Sequence, residues 1–233
     1  MRSRLLAFGV LLGLTCMGTI RAEERATVPV ASLRDSLGRL KMGNDRFVRN
    51  ISAPMSLSVN TRMALAKEQK PFAMVLSCAD SRVPPEHIFN VGLGDLFVVR
   101  AAGEVVDRSI MASLEYGAQH LHVPLMVVLG HESCGAVKAA VDDTTLDGPN
   151  LAFMLKAIKA ARGRSAADQK DLRTAILGNV EQVINDALTG SEILRLAVQS
   201  GSLRVVGGYY ELSSGRVLFS EPITSVPSAS ARK

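Results

Sequence analysis

Three short, uninterrupted apolar runs constrain this 233-residue chain more than any other feature. Phe72 to Ser77, Leu96 to Val99 and Val123 to Leu129 show no polar alternation, so a strand built from any of them is apolar on both faces and must be covered on both. Leu203 to Leu212 reads as a fourth strand, and Ser213-Ser214-Gly215 turns it back into Arg216 to Ser220 as an antiparallel edge. Helical patterns separate the runs. Ser32 to Arg49 places Leu33, Leu37, Leu40 and Phe47 on a helical period behind a Ser cap, and Thr61 to about Gln69 is stopped by Pro71. Asp107 to Leu121 carries Ile110, Leu114 and Leu121 on one stripe, and Ser133 to Val141 follows the third strand. Leu151 to Ser200 is helical in three segments: one to about Arg162, one from about Ala166 to Leu188, and one capped by Ser191 and ended by Gly201. Strands alternating with helices give an α/β fold: a four-stranded, mostly parallel sheet with an antiparallel edge strand, flanked by helices and preceded by an N-terminal helical arm. No internal repeat and no linker rich in Pro, Gly or Ser divides residues 23–233, which read as a single domain ending in a tail from Ser225.

Residues 1–22 stand apart from that domain. Arg2 and Arg4 precede the apolar stretch Leu5 to Ile20, followed by Arg21-Ala22, the pattern of a cleaved secretory signal and too short to span a bilayer. An uncleaved anchor or lipidation at Cys16 is the alternative. The signal reading implies an exported protein, most simply periplasmic, with no stable membrane association after cleavage. It also removes the argument for a polyanionic partner: without Arg2, Arg4 and Arg21, the 27 basic residues become 24 against 22 acidic ones, and the net charge falls from +5 to +2. With 4% aromatic residues and no Trp, there is no stacking platform for nucleic acid either.

Cleavage after Ala22 leaves two cysteines, Cys78 and Cys134. Each falls in a loop at the C-terminal end of an apolar run, where open α/β sheets place their ligands. The first loop reads Cys78-Ala79-Asp80-Ser81-Arg82 and the second His131-Glu132-Ser133-Cys134. Two thiols and an imidazole suit a tetrahedral zinc with one position left open for catalysis. A disulfide in an oxidising compartment, or two unrelated packed cysteines, are the competing readings. Asp80 could ligate the metal or accept a hydrogen bond from a water on it, and Arg82 could hold that carboxylate off the metal by a bidentate pair.

These two loops resemble the paired signature of the β-class carbonic anhydrases. Further blocks agree: Gly43-Asn44-x-Arg46-Phe47, Val98-Val99-Arg100-x-Ala102-Gly103-Glu104, Ser113-Leu114-Glu115-Tyr116-Gly117, and Val206-Gly207-Gly208-Tyr209-Tyr210-x-Leu212-x-x-Gly215. The resemblance spans about residues 32–221. It implies reversible hydration of CO2 to bicarbonate and a proton by zinc-bound hydroxide, with one Zn2+ per subunit on Cys78, His131 and Cys134 and a catalytic dyad of Asp80 and Arg82. Hydrolysis of COS or CS2 on the same scaffold, and an inactive zinc-binding homologue, are the alternatives.

The resemblance also assigns a substrate pocket, by position, to Gln69, Phe97 and Tyr116. In related enzymes these groups come from the neighbouring subunit, which implies a homodimer that could pair further into a tetramer. One subgroup of the family swings the Asp onto zinc with the help of a Trp three residues before the first Cys. Here that position is Val75, so Asp80 is expected on Arg82, with the zinc open to water. His120 lies four residues after Tyr116 on the same predicted helix and is the candidate proton shuttle, with His87 and His122 as alternatives.

Overall fold

All three apolar runs become strands, and two of them, the first and the third, are buried on both faces. In this computed structural model, which describes residues 30–51, 57–144, 146–160 and 171–223, β1 (Ala73–Ser77), β2 (Leu96–Arg100), β3 (Leu125–His131) and β4 (Arg204–Tyr210) run parallel, and β5 (Val217–Phe219) pairs antiparallel with β4. The sheet thus has five strands in the order β2-β1-β3-β4-β5: four parallel ones plus the edge strand. Every residue of β1 and β3 is buried, whereas β2, at the open edge, is only partly covered. The predicted signal segment 1–22 with Cys16, residues 161–170 at the predicted start of the second long helix, and the tail from Ser225 lie outside the described residues.

The helices are α1 (Val30–Val48), α2 (Val59–Leu65), α3 (Pro85–Ile88), α4 (Arg108–Gln119), α5 (Gly135–Val141), α6 (Pro149–Ala160), α7 (Leu172–Gly190) and α8 (Glu192–Gln199). Among the described residues four start on side-chain caps: Ser58 accepts from the Thr61 amide, Asp107 from the Ser109 and Ile110 amides, Asp171 from those of Arg173 and Thr174, and Ser191 from that of Leu194. The side chains of the sheet alternate between two cores. Val75, Val127 and Leu129 meet Leu37 and Leu40 of α1, and Met74, Leu76, Met126 and Val128 meet α4, α7 and α8.

Three differences from the sequence reading have a clear physical cause or bear on the site. The predicted helix to Gln69 ends at Leu65, because no residue of α2 is buried in this chain and nothing rewards a longer helix. The short α3, begun by Pro85 at its first turn, was not expected. The third strand runs on to His131 rather than stopping at Leu129, since β4 continues the ladder with Gly130 opposite Tyr209 and His131 opposite Tyr210. His131 is therefore a strand residue, held more rigidly than a loop position would be.

The arm helix is locked at one point. Asn44, buried, donates its amide to the carbonyls of Ile88 and Gly215 and accepts from the Val217 amide at 2.9 Å, tying α1 to the end of α3 and to the β4–β5 turn. This requires α1 to approach the chain after α3 closely, and a Cβ on Gly43 would lie 1.8 Å from the Phe89 carbonyl oxygen. Gly38, on the same helix, has open space around it. Gly43→Ala is therefore expected to lower stability by about 1–3 kcal/mol or more through overpacking. Gly38→Ala is expected to raise it by up to about 1 kcal/mol through helix propensity. Thermal denaturation of both variants checks the pair.

Candidate metal centre

The chain enters the sheet at β1, crosses to β2 on one side, then returns to β3 on the other. The C-terminal ends of β1 and β3 therefore flank the point where the strand order reverses, the usual ligand crevice of an open α/β sheet. Cys78 directly follows β1, His131 ends β3, and Cys134 caps α5. Between the last two, Ser133 takes a left-handed conformation (φ 55°), and this tight turn folds Cys134 back beside His131. All three are buried, and their ligand atoms lie within 4.8 Å of one another.

Each donor is prepared for a metal. His131 Nδ1 lies 2.9 Å from the Glu132 carbonyl, which can only accept, so Nδ1 carries the proton and Nε2 keeps its lone pair. Nε2 is buried without a hydrogen-bond partner, an orphan that a metal would satisfy. The two cysteines are free thiols. The hydrogen bond from Cys134 draws the Cys78 thiol down, with the Gly103 amide helping, against burial. That same bond and burial push Cys134 up. A cation that takes both sulfurs as thiolates would release their protons on binding.

Beside this set, Arg82 grips Asp80 in a fork. Arg82 Nε donates to Asp80 Oδ1 at 2.9 Å and Nη2 to Oδ2 at 2.7 Å, while the Arg82 amide also donates to Oδ1. Asp80 Oδ2 lies 4.0 Å from His131 Nε2, so the carboxylate faces the ligand set while both its oxygens are engaged elsewhere. The guanidinium also reaches the Ser133 carbonyl at 3.4 Å, bridging the two loops. Arg82 holds the Asp80 carboxyl well below the usual carboxylate range, first through its side-chain hydrogen bonds, against a smaller desolvation effect.

The pocket candidates lie elsewhere. Phe97 is registered against Met74, four residues and about 13 Å of strand before Cys78. Tyr116 packs on Phe97, with ring centroids 6.2 Å apart, near the end of α4, which returns from the tip of β2 to the start of β3. Gln69 is exposed ahead of β1. All three therefore sit toward the opposite edge of the sheet from the thiols, and a single subunit does not bring them to the site. His120 stacks on Tyr116 at 4.8 Å on that same side, and His87 and His122 are exposed.

Several residues near the site carried no assigned role in the sequence reading. Arg100 Nε and Nη2 donate to the carbonyls of Cys78 (2.9 Å) and Asp80 (2.6 Å). Gly103 donates its amide to Cys78 Sγ at 3.4 Å, and the buried Asn179 of α7 donates to the Gly103 carbonyl. A signal existed for Asn179: it is a polar residue on the apolar stripe formed by Ile176, Val180 and Val183.

Because the Asp80 shift is downward, whatever its pairing adds to folding is present above the ordinary carboxylate value of about 3.9 and is lost only as the pH falls through the lower folded value. A carbon NMR titration is therefore expected to show no Asp80 midpoint near about 3.9 in the parent and one restored toward it in Arg82→Met. A parent midpoint near the ordinary value would contradict the fork.

Comparison with known proteins agrees with this geometry. The family described as carbonic anhydrase matches residues 73–217. Carbonic anhydrase 2 of Mycobacterium tuberculosis is 39% identical over 209 residues, covering 86% of this chain and 97% of that protein. The carbonic anhydrase of Mycolicibacterium smegmatis is 36% identical over 76% of this chain and 88% of its own. Among solved structures, a Coccomyxa β-carbonic anhydrase in complex with acetazolamide superposes with a TM-score of 0.64 at 26% identity, covering 84% of this chain and 86% of that one. A tetrameric β-carbonic anhydrase of Sordaria macrospora gives 0.61 at 26% identity, covering 82% of this chain and 93% of that one. A five-stranded sheet with two thiols and an imidazole at its switch point, and relatives that align over most of both chains, place this chain in the β-class carbonic anhydrase family.

Proposed function

We propose that this chain catalyses the zinc-dependent, reversible hydration of CO2 to bicarbonate and a proton. The observation that carries the reading is the orphaned His131 Nε2 with two cysteine sulfurs, all within 4.8 Å, at the switch point of the sheet. Cys78 Sγ, His131 Nε2 and Cys134 Sγ would hold one zinc per subunit. When bound, zinc supplies a water acidified to a pKa of about 7, and hence a nucleophile near neutrality.

The chain's own groups direct the chemistry. Asp80, kept ionised by Arg82, can only accept hydrogen bonds, so it orients a hydroxyl toward substrate and cannot donate a proton to it. Arg82 engages both carboxylate oxygens, so the carboxylate could serve as a metal ligand only by breaking that fork. CO2 offers no donor and only weak acceptors, so its recognition calls for apolar walls and a single amide. Phe97, Tyr116 and Gln69 supply that combination if they come from a second subunit, and their place at the far edge of the sheet supports a homodimer. The product proton must leave, and the exposed His120 imidazole, stacked on Tyr116, can take it up and release it. The segment 1–22 supports export, most simply to a periplasm; among the described residues, no helix is long and apolar enough to cross a membrane.

Stopped-flow CO2 hydration by residues 23–233, with zinc measured on the same sample, tests the activity. Turnover should track zinc and vanish in Cys134→Ala, whereas Asp80→Asn should keep zinc and lose about 100-fold or more in turnover. Zinc at one per monomer without hydration would overturn the proposed reaction. The shared pocket has its own test. Co-assembling Cys134→Ala with Tyr116→Ala should restore activity in mixed dimers, because one site then combines an intact metal centre with an intact partner pocket. No restoration in verified mixed dimers would place the pocket within one subunit.

A further inference from the structure

The segment following β2 takes no part in the reaction above, yet its backbone is unusual. Gly103 and Glu104 are successive left-handed residues, with φ of 65° and 53°, a conformation glycine adopts freely and glutamate does not. Glu104 is also 1% exposed, and its Oε1 has no hydrogen-bond partner. A buried carboxyl on strained backbone persists only where its surroundings dictate it, and such strain clusters at functional sites.

The surroundings here are specific. Asn179, 2% exposed on α7, donates Nδ2 to the Gly103 carbonyl at 2.8 Å and to Glu104 Oε2 at 3.4 Å. The Glu104 amide closes the turn on the Ala101 carbonyl at 3.0 Å. On the helix side, a Cβ on Gly103 would lie 2.7 Å from Ile158 Cδ1 and 3.2 Å from the Ala136 Cβ, so α5 and α6 leave the turn no room to shift that way. The amide of Gly103 is then left pointing at Cys78 Sγ, 3.4 Å away.

We infer that Asn179 and Glu104 are positioning residues for the first metal ligand: together they hold the 102–104 turn in the left-handed form that aims the Gly103 N–H at the Cys78 sulfur. This rests on the zinc reading of the site. A hydrogen bond to a thiolate withdraws charge from it and fixes its direction, which raises the Lewis acidity of the metal it binds and restrains the ligand from swinging away. The turn thereby reaches the chemistry without touching substrate. It also accounts for a polar residue on the buried stripe of α7 and for a glutamate where glycine would fold more easily.

The test uses the full domain in zinc-loaded and cobalt-substituted forms. Asn179→Leu keeps nearly the volume and removes the donor; Glu104→Leu removes the acceptor and Glu104→Gln restores one. Readouts are zinc affinity by chelator competition and the energy of the thiolate-to-cobalt charge-transfer band, with circular dichroism as the check on folding. Asn179→Leu and Glu104→Leu are expected to lose about 10–100-fold in zinc affinity, the usual effect of removing a group that orients a ligand, and to shift the band. Glu104→Gln is expected to recover both. A folded Asn179→Leu with parental affinity and band would overturn the inference. If that variant does not fold, the Glu104 pair decides: recovery in Gln but not Leu supports the bracket, and identical behaviour of the two overturns it. A parent that takes up neither zinc nor cobalt would overturn the zinc reading itself, whereas a parent that binds both while the variants match it overturns only the bracket.

Discussion

The parallel pairing of β1 with β3 is the interaction on which the functional site depends. Ser77 stands opposite Leu129 in that ladder, so the residue after β1 and the last residue of β3 emerge side by side. A register slip of one residue would turn the side chains of a strand to the other face, separating Cys78 from His131. That slip is opposed by burial on both sides: Val75, Val127 and Leu129 belong to one core and Met74, Leu76, Met126 and Val128 to the other. The same residues that drive folding therefore set the distance between the metal donors.

Around this frame, electrostatics divides the labour between two loops. The sulfurs and imidazole are buried together and His131 Nε2 has no hydrogen-bond partner, which suits the cluster to a cation. Asp80, a few ångströms away, is fully engaged by Arg82. Were that carboxylate free, it would compete for the fourth metal position; tied to a guanidinium, it remains charged and directional. Arg100 adds a brace from the next strand by holding the Cys78 and Asp80 carbonyls, tying both loop residues to the end of β2. The absence of Trp at the Val75 position agrees with the Asp80 fork seen here.

Much of this was legible in the chain. The runs that form β1 and β3 give buried strands because an apolar residue at every position leaves no face for water, and the Ser191 cap and the Ser213-Ser214-Gly215 turn lie where their chemistry requires. Harder to read were features set by neighbours. The extension of β3 to His131 comes from the ladder with β4, and the early end of α2 from the absence of anything packed on it. The bracket of Asn179 on Gly103 joins residues 76 positions apart: its place on an apolar stripe marks Asn179 as unusual, but no local pattern names its partner.

The sequence by itself determined the kind of fold, the inventory of donor atoms and the family they resemble, because periodicity and residue chemistry are local properties. Only the tertiary structure decided which donors converge. It did so by ordering the strands so that β1 and β3 are neighbours at the reversal point, and by sending Gln69, Phe97 and Tyr116 to the far edge of the sheet. Proximity between distant residues is set by how apolar faces pack, and packing is a property of the whole chain.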